Sequence, residues 1–329
     1  MNVVEALIEY AKLSSAHFAV LTATIPLTGA IAMGEKDIGS LTILFIIGFL
    51  VHIYGFAFNH YNDIEIDGLS KGIQSRPLVS GSITKKQASF FILLILICGF
   101  FITYYFFGLL LLLIYFLGIF LASLYDIFSK RIAGMDFILA ASVTTGFIFG
   151  ASTVSFDYNN LVYILSILAF LQTINLNLIA GGIKDADHDQ LFQSKHIAAQ
   201  LGVKVEDSSL VIPNTFSYIA YFFSSIFAIL AIGPVLLGLI NIHMILLLLL
   251  IGINGIFFAI TYKLLHVGQF DRQHIRFLII LHYSLNWMNV PILLTSEAPL
   301  AIFLILYPLI GLIVTNIIIH NTILRPQVL

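Results

Sequence analysis

Long apolar runs separated by short polar stretches fill most of the sequence. A helix that crosses a membrane needs about 20 apolar residues, and ten runs are near this length, at 15–33, 40–61, 88–107, 109–125, 136–155, 160–182, 213–232, 236–262, 274–294 and 299–320. Only Gly108 separates the third run from the fourth. Because about 38 residues are too many for one crossing, we predict a tight turn at Gly108. The pattern predicts an all-α, polytopic membrane helical bundle.

The composition supports this interpretation. Of the 329 residues, 60% are hydrophobic and 10% are charged, whereas about 25% of the residues in a soluble domain are charged. The single cysteine, Cys98, lies in an apolar run, so a disulfide within the chain is excluded. We expect membrane lipid around the chain and no nucleic-acid partner.

The basic residues predict which side of the membrane each loop faces. Most of them follow even-numbered runs, and only Lys36 falls on the other side. Because Lys and Arg accumulate in cytoplasmic loops, we predict that the even loops and both termini are cytoplasmic, in the plasma membrane of a prokaryote. The loop residues on the predicted cytoplasmic side are Lys71, Arg76, Lys85, Lys86, Lys130, Arg131, Lys184, Lys195, Lys204, Lys263 and Arg272.

Two acidic clusters lie on this predicted cytoplasmic side: NHYNDIEID at 59–67, after the second run, and GGIKDADHDQ at 181–190, after the sixth. In a continuing helix, Asn59, Asp63 and Asp67 recur every four residues and share one face, as do Asp185 and Asp189. Hard oxygen ligands of this kind suit Mg²⁺, which bridges protein carboxylates to the phosphates of a substrate. We predict that the clusters face each other and hold a metal-bound diphosphate. The alternative is that they are ordinary polar loops at a membrane surface.

Basic residues near the clusters fit the same prediction. Arg76 follows the first cluster in the stretch SRPLVSG, and Lys184 and Lys195 flank the second. The stretch YDIFSKR places Tyr125 and Lys130 at the predicted cytoplasmic end of the fourth run. Arg and Lys are the usual partners of phosphate oxygens. Each one alone is better understood as a loop charge that sets orientation, but as a set they predict a diphosphate site.

At these residues the chain resembles the UbiA superfamily of intramembrane prenyltransferases. That family carries an N-D-x-x-D-x-x-x-D motif followed by R-P-x-x-S-G, which is matched here by Asn59, Asp63, Asp67, Arg76, Pro77, Ser80 and Gly81. Its second motif, D-x-x-D-x-x-x-D followed by a lysine and L-G, is matched by Asp185, Asp189, Lys195, Leu201 and Gly202. A tyrosine followed five residues later by a lysine looks like Tyr125 and Lys130. The resemblance covers about residues 12–294.

Two positions depart from the family pattern. His60 stands where the family usually has its first aspartate, and Gly182 replaces the first aspartate of the second motif. One potential metal ligand is therefore missing from each cluster, which leaves the number of metal ions open. The family fold usually has nine helices. The resemblance thus implies one domain over residues 1–329, with a core of about 12–294, nine to ten transmembrane helices around a central cavity, and an added helix at 299–320.

The resemblance also implies an activity, the transfer of a polyprenyl group from a prenyl diphosphate donor to a lipophilic acceptor. The acceptor would be an aromatic or quinone precursor or a glycerol-lipid alcohol. Mg²⁺ is the implied cofactor, with Asn59, Asp63, Asp67, Asp185 and Asp189 as metal ligands and Asn59, Arg76, Lys130 and Lys195 on the diphosphate. A developing carbocation is stabilised by aromatic faces, at roughly 0.5–2 kcal/mol per contact. The candidates for the cavity wall are Tyr54, Phe58, His60, Tyr125 and Asn175.

Other classes of membrane protein remain open at this point. A polytopic transporter would account for the ten spans and the polar residues within them, although here the charges gather at one membrane face instead of the midplane. A CDP-alcohol phosphotransferase also carries aspartate clusters, but the stretch DIEIDGLSKG lacks the Ala-Arg pair of that family's D-G-x-x-A-R motif. A catalytically altered paralogue of the prenyltransferases is a further alternative.

Overall fold

A computed structural model describes residues 2–69 and 74–320, so Lys71 lies outside the described residues. Helices account for almost all of the described chain, and a short antiparallel hairpin of β1 (Lys204–Glu206) and β2 (Ser209–Val211) interrupts them. The helices are α1 (Val3–Leu13), α2 (Ala19–Thr22), α3 (Thr24–Ala32), α4 (Ile38–Asn62), α5 (Ile64–Leu69), α6 (Pro77–Ser80), α7 (Lys85–Phe128), α8 (Met135–Ser152), α9 (Asn160–Ile174), α10 (Gly182–Lys184), α11 (Ala186–Leu191), α12 (Ile197–Gln200), α13 (Asn214–Leu236), α14 (Met244–Leu265), α15 (Arg272–Leu294) and α16 (Leu306–His320). Two 3₁₀-helices (Ala16–Phe18 and Pro299–Ile305) and one π-helix (Asn175–Gly181) complete them.

Within the described part of the chain, eight helical segments are long and apolar enough to cross a membrane. The pair formed by α1 and the segment 16–32, bent by 69°, is a ninth candidate. The prediction of an all-α polytopic membrane bundle is confirmed. The eighth predicted run began too early, because α13 continues to Leu236 and Gly238 then takes a left-handed φ of 72°, so that α14 starts only at Met244.

The 44-residue helix α7 is two membrane-length helices folded back on each other at Gly108. Gly108 has φ 77° and ψ −174°, a backbone conformation that only glycine adopts without strain. In a straight helix, Phe100 and Phe116 would stand about 24 Å apart. Their ring centroids are in fact 6.2 Å apart, and those of Phe100 and Tyr115 are 5.4 Å apart. The structure thus has the tight turn that the sequence predicts.

Glycines bring the first span into close contact with two neighbouring helices. A Cβ atom placed on Gly150 of α8 would lie 1.7 Å from the carbonyl oxygen of Pro26, and one on Gly48 of α4 would lie 2.4 Å from that of Ala23. Any side chain at these positions would push the backbones apart, which is why small residues are common where membrane helices pack. The segment α2–α3 is therefore held tightly between α4 and α8.

The last described helix lies against the beginning of the first span. The Thr315 hydroxyl of α16 donates to the carbonyl oxygen of His17 (3.2 Å), and the His17 and His320 ring centroids are 5.0 Å apart. Gly311 faces Val20, where a Cβ atom would come within 2.3 Å of a Val20 methyl group. The span predicted at 299–320 therefore packs on the outside of the segment that connects α1 to α3.

Candidate active site

The two acidic motifs share one backbone design. Helices α4 and α5 meet at Asp63, which has φ −90° and ψ 4°, and helices α10 and α11 meet at Asp185, which has φ −96° and ψ 8°. In each motif the amide of the aspartate four residues later, Asp67 or Asp189, donates to the carbonyl oxygen of the first aspartate at 2.8 Å. Each motif is thus a helix bent at its first aspartate. This region of φ/ψ space is sparsely populated and often holds active-site residues.

A π-helix, which the sequence did not predict, leads into the second motif. The predicted run 160–182 is an α-helix only as far as Ile174, and the segment Asn175–Gly181 is π-helical. Single π-turns of this kind occur often at functional sites. The fully buried Asn175 accepts a hydrogen bond from Ser224 (2.9 Å) and donates to the carbonyl oxygen of Leu171 (3.0 Å), so it does not face the cavity. Asn177, two residues later, lines the cavity instead.

A cavity of about 380 Å³ runs between the segment α2–α3, α4, the second half of α7, α8 and the π-helix. Both acidic motifs reach its polar end, which we call the motif end. The sequence-predicted residues that line it are Asn59, His60, Asp63, Asp67, Arg76, Tyr125, Lys130 and Asp185. Asp189 lines a smaller neighbouring pocket of about 30 Å³ together with Lys130 and Asp185. The two distant motifs are therefore brought together at one end of one cavity.

The charges of both motifs act on Asp63. Burial raises the pKa of the Asp63 carboxyl to about 6, and Asp67 and Asp185 add to this rise, while Lys130 and Arg76 oppose it. Burial would lower the pKa of Lys130, but Asp189, Asp185 and Asp63 together raise it above the ordinary lysine value. Because charges affect a pKa strongly only at short range in a folded protein, these residues form one electrostatic unit.

Basic residues pair with the carboxylates of both motifs. Arg76 donates to Asp67, and Lys130 donates to Asp189 across 3.0 Å. In the second motif the pairs are Lys184 with Asp185 at 3.6 Å and Arg272 with Asp187 at 2.5 Å. Asp63 has no ion pair among the residues that the structure describes. The motif end thus contains nearly as many basic as acidic side chains.

A hydrogen-bond chain connects the tyrosine at the motif end to a buried histidine. Asn177 donates to the Tyr125 hydroxyl (2.7 Å) and lies 2.7 Å from Asp136, which is 2.9 Å from Nε2 of His196. Burial lowers the pKa of His196, but the Asp136 carboxylate outweighs it and the pKa is raised. A second carboxylate, Asp126, accepts from the Asn59 amide at 3.3 Å. The sequence prediction missed both carboxylates, although an acidic residue inside an apolar span is itself a signal of function.

Some sequence-predicted residues lie elsewhere. Tyr54 and Phe58 stack on each other (5.6 Å), and the Tyr54 hydroxyl hydrogen-bonds to Ser123, so neither residue lines the cavity. They occupy the opposite face of α4 from Phe56, which does line it. The Lys195 side chain is exposed and is absent from the lining of both pockets, so its role on a diphosphate stays a prediction.

The sequence of the whole span region identifies the family. The model of the UbiA prenyltransferase family matches residues 20–290, which is most of the chain. The chain belongs to the UbiA prenyltransferase family. The predictions of family membership and of a prenyltransferase enzyme are confirmed. No curated protein sequence matches the chain significantly.

Solved UbiA structures share this fold. The apo structure of a UbiA homolog from Aeropyrum pernix K1 has a TM-score of 0.63 and 16% identity over 91% of this chain and 99% of that one. A UbiA homolog from Archaeoglobus fulgidus bound to GPP and Mg²⁺ has a TM-score of 0.62 and 16% identity over 86% and 99%. A structure of digeranylgeranylglyceryl phosphate synthase has a TM-score of 0.57 and 22% identity over 87% and 99%. At these identities, the likeness establishes the fold alone.

The two departures from the UbiA motifs have structural counterparts. His60 is buried, and its Nδ1 hydrogen-bonds to the carbonyl oxygen of Leu13 (2.7 Å), so the histidine ties α4 to the end of α1. At Gly182, a Cβ atom would lie 2.5 Å from the Cβ of Ala198 and 3.5 Å from the His196 ring. An aspartate at position 182 would therefore collide with α12, and the chain has no room for the missing carboxylate.

The donor set at the motif end suits Mg²⁺. Asp63, Asp67 and Asp185 supply hard carboxylate oxygens beside one cavity, which is the ligand chemistry that Mg²⁺ prefers. No group of three His, Cys, Asp or Glu side chains in the described ranges is already arranged to hold a metal. Basic residues pair with the carboxylates of Asp67, Asp185 and Asp189. A metal ion at these carboxylates would have to displace these basic partners.

Proposed function

We propose that this UbiA-family protein transfers a polyprenyl group from a prenyl diphosphate to a lipophilic acceptor within the membrane, with Mg²⁺ as cofactor. The observation that carries the proposal is the meeting of both acidic motifs with Arg76 and Lys130 at the polar end of a largely apolar cavity. UbiA homologs bound to GPP and Mg²⁺ and to DMAPP and Mg²⁺ support the donor and the metal. The acceptor is an aromatic or quinone precursor or a glycerol-lipid alcohol, and the digeranylgeranylglyceryl phosphate synthase supports the second class.

In this proposal the polar residues take two roles, and Asn59 takes part in both. The metal ligands are Asn59, Asp63, Asp67, Asp185 and Asp189, and the residues on the diphosphate are Asn59, Arg76, Lys130 and Lys195. The Asn59 amide nitrogen already donates to Asp126, which leaves its oxygen for the metal. Mg²⁺, when bound, neutralises the charge that builds up on the departing diphosphate. Arg76 and Lys130 leave their carboxylates and donate to the diphosphate oxygens instead.

The reaction breaks the allylic C–O bond of the donor, and the electron pair leaves with the diphosphate. The acceptor forms a new bond to the same carbon and gives up a proton, which the released diphosphate can accept. Tyr125 stands beside this carbon, with its hydroxyl fixed by Asn177, and its ring together with that of Phe56 stabilises the allylic cation. The apolar wall beyond these rings keeps water from capturing the cation.

The same proposal includes the membrane arrangement. The protein is an integral membrane protein, and we propose that the motif end faces the cytoplasm in the plasma membrane of a prokaryote, as the distribution of basic residues predicts. The whole chain acts as a single domain with its core at about 12–294 and α16 as an addition. Labelling of cysteines introduced at exposed positions 86 and 37, from either side of sealed vesicles, tests this orientation.

The decisive experiment measures Mg²⁺-dependent release of diphosphate from geranylgeranyl diphosphate by the purified protein, with a panel of acceptors and detection of products by mass spectrometry. Asp63→Ala and Asp189→Ala are expected to abolish turnover while folding is retained. Glu65→Gln is the matched control, because Glu65 is an exposed carboxylate of the first motif. Wild-type activity in both alanine variants would refute the proposal. Flux of a substrate across the membrane without chemical change would favour a transporter.

A further inference from the structure

Beyond the motif end, the cavity continues as an apolar shaft along two helices. On α4 its lining extends from Asn59 to Ile47, which is 12 residues or about 18 Å of helix. On the second half of α7 it extends from Tyr125 to Ile114, which is 11 residues or about 16 Å. The two independent helices therefore give the same depth, measured from the level at which the reacting carbon would lie.

The polar groups in the middle of the shaft already have partners. His52 hydrogen-bonds through Nδ1 to the Thr22 hydroxyl (2.6 Å) and through Nε2 to the carbonyl oxygen of Ser15 (3.1 Å). A hydrocarbon chain can therefore pass these groups without leaving any of them without a hydrogen-bond partner. The rest of this part of the wall is largely aliphatic, so the shaft suits an apolar chain.

A group of aromatic rings, which we call the floor, lies at the far end of the shaft. Tyr115 and Phe149 line it there and are only 5% and 2% exposed. Their ring centroids are 6.0 Å apart, and Phe149 packs edge to face on Phe107 at 5.9 Å. Phe107 directly precedes the turn at Gly108, so the floor rests on the tightest part of the α7 hairpin. Buried rings packed in this way resist displacement.

The depth of the shaft corresponds to a definite length of isoprenoid. With carbon–carbon bonds of about 1.5 Å, an isoprene unit contributes four bonds along the chain and is about 5 Å long when extended. A shaft of about 16–18 Å then holds three extended units and part of a fourth. We propose that the Tyr115–Phe149 floor limits the donor of this protein to four isoprene units, so that longer prenyl diphosphates are poor ligands. This inference rests on the proposed function, because it assumes that the diphosphate lies at the motif end.

Gly55 offers a direct way to shorten the shaft. It lines the cavity one helical turn below Asn59, and a Cβ atom placed on it meets no other atom within 4 Å. Side chains on a helix lean toward its N-terminus, and on α4 that direction is toward the floor. A leucine at position 55 would therefore obstruct the shaft below the first isoprene unit and leave the motif end unchanged.

The test is isothermal titration calorimetry of the purified protein in detergent with Mg²⁺. The ligands are inorganic diphosphate and prenyl diphosphates of one, two, three, four and six isoprene units. For the wild type, affinity should rise up to four units and fall at six. Gly55→Leu should bind the one-unit ligand within about threefold of wild type and the four-unit ligand at least about tenfold more weakly. Gly255→Leu is the matched control, because Gly255 is exposed on α14, away from the cavity.

The outcomes separate the two proposals. If Gly55→Leu binds the four-unit ligand like the wild type, or if six units bind as tightly as four or more tightly, the floor does not set donor length although the proposed function stands. If inorganic diphosphate and the one-unit ligand both fail to bind the wild type in the presence of Mg²⁺, the proposed function itself fails. Phe149→Leu gives an independent test, because a smaller floor residue should improve the affinity for the six-unit ligand at least about threefold over wild type. No gain in this folded variant would overturn the floor.

Discussion

Replacing Asp63 by Asn is expected to stabilise the metal-free protein, and the gain should grow as the pH rises. Burial raises the pKa of the Asp63 carboxyl from 3.8 to about 6. The folded protein therefore holds this proton more tightly than the unfolded chain does. The contribution of Asp63 to stability is fully present below about pH 4 and is lost as the pH rises through about 6. An asparagine side chain carries no charge at any of these pH values, so the variant avoids this loss.

The two pKa values set the size of the effect. One pKa unit corresponds to about 1.4 kcal/mol, so the rise from 3.8 to about 6 gives an upper limit of about 3 kcal/mol at pH 8. At pH 4.5 the Asp63 carboxyl of the folded protein keeps its proton, and the same two pKa values give a loss of stability of about 1 kcal/mol. Water screens part of this energy because Asp63 is half-buried. We expect a difference of about 1–2 kcal/mol between the two pH values, or a few degrees in Tm.

The assay is thermal unfolding in detergent with a chelator, at pH 4.5 and at pH 8. Glu65→Gln removes the same charge from an exposed position of the same motif, and its stability relative to wild type should depend little on pH. Addition of Mg²⁺ and diphosphate should stabilise the wild type more than Asp63→Asn. The stability advantage of Asp63→Asn over the wild type should therefore become smaller or change sign. The reasoning is refuted if Asp63→Asn is no more stable than the wild type at pH 8, or if its gain is equal at both pH values.

Three further substitutions test the packing around the site by measurement of Tm and turnover. Gly182→Asp, which restores the usual family residue, should lower stability by about 1–3 kcal/mol through overpacking. Adding Ala198→Gly to this variant should recover part of that loss. If Gly182→Asp is as stable as the wild type, the predicted collision with Ala198 is wrong. Gly150→Ala should destabilise by more than about 2 kcal/mol, because its methyl group meets a backbone carbonyl oxygen. Lys130→Met should abolish turnover and destabilise the folded protein at pH 8 by about 3–5 kcal/mol, because it leaves the buried Asp189 without its cation. If the variant keeps the Tm of the wild type, water replaces the lysine and this reasoning is wrong.

The sequence predicted the spans well because an apolar run of membrane length rarely forms anything but a spanning helix. It also predicted the hairpin at Gly108, because the apolar run around this glycine is about twice as long as one membrane crossing needs. The meeting of the two acidic motifs was predictable from their shared side of the membrane and their i, i+4 spacing. The local bends at Asp63 and Asp185 were not, because one residue outside helical geometry leaves no mark on a hydrophobic pattern.

The rotation of α4 accounts for the errors in the predicted aromatic wall. This helix is apolar on all sides, so its sequence does not distinguish the face that lines the cavity from the face that packs on α7. The sequence therefore points to Tyr54 and Phe58, whereas Phe56 is the aromatic ring of α4 that lines the cavity. The π-helix has the same consequence in the second motif, where its extra residue per turn directs Asn177 instead of Asn175 toward Tyr125.

The ion pairs at the motif end have a consequence for the order of events in a catalytic cycle. When no ligand is present, the carboxylates and the cations of Arg76, Lys130 and Lys184 satisfy one another. A lone magnesium ion that bound Asp67, Asp185 or Asp189 would have to displace a cation, and a lone diphosphate would have to displace a carboxylate, so each entering alone would leave an uncompensated charge behind. In the proposed reaction, a magnesium ion and a diphosphate that arrive together would exchange these partners and leave no charge uncompensated, so the magnesium complex of the donor would be favoured over either one alone. The same pairs would re-form when the diphosphate leaves, which would favour its release and prepare the protein for another turnover.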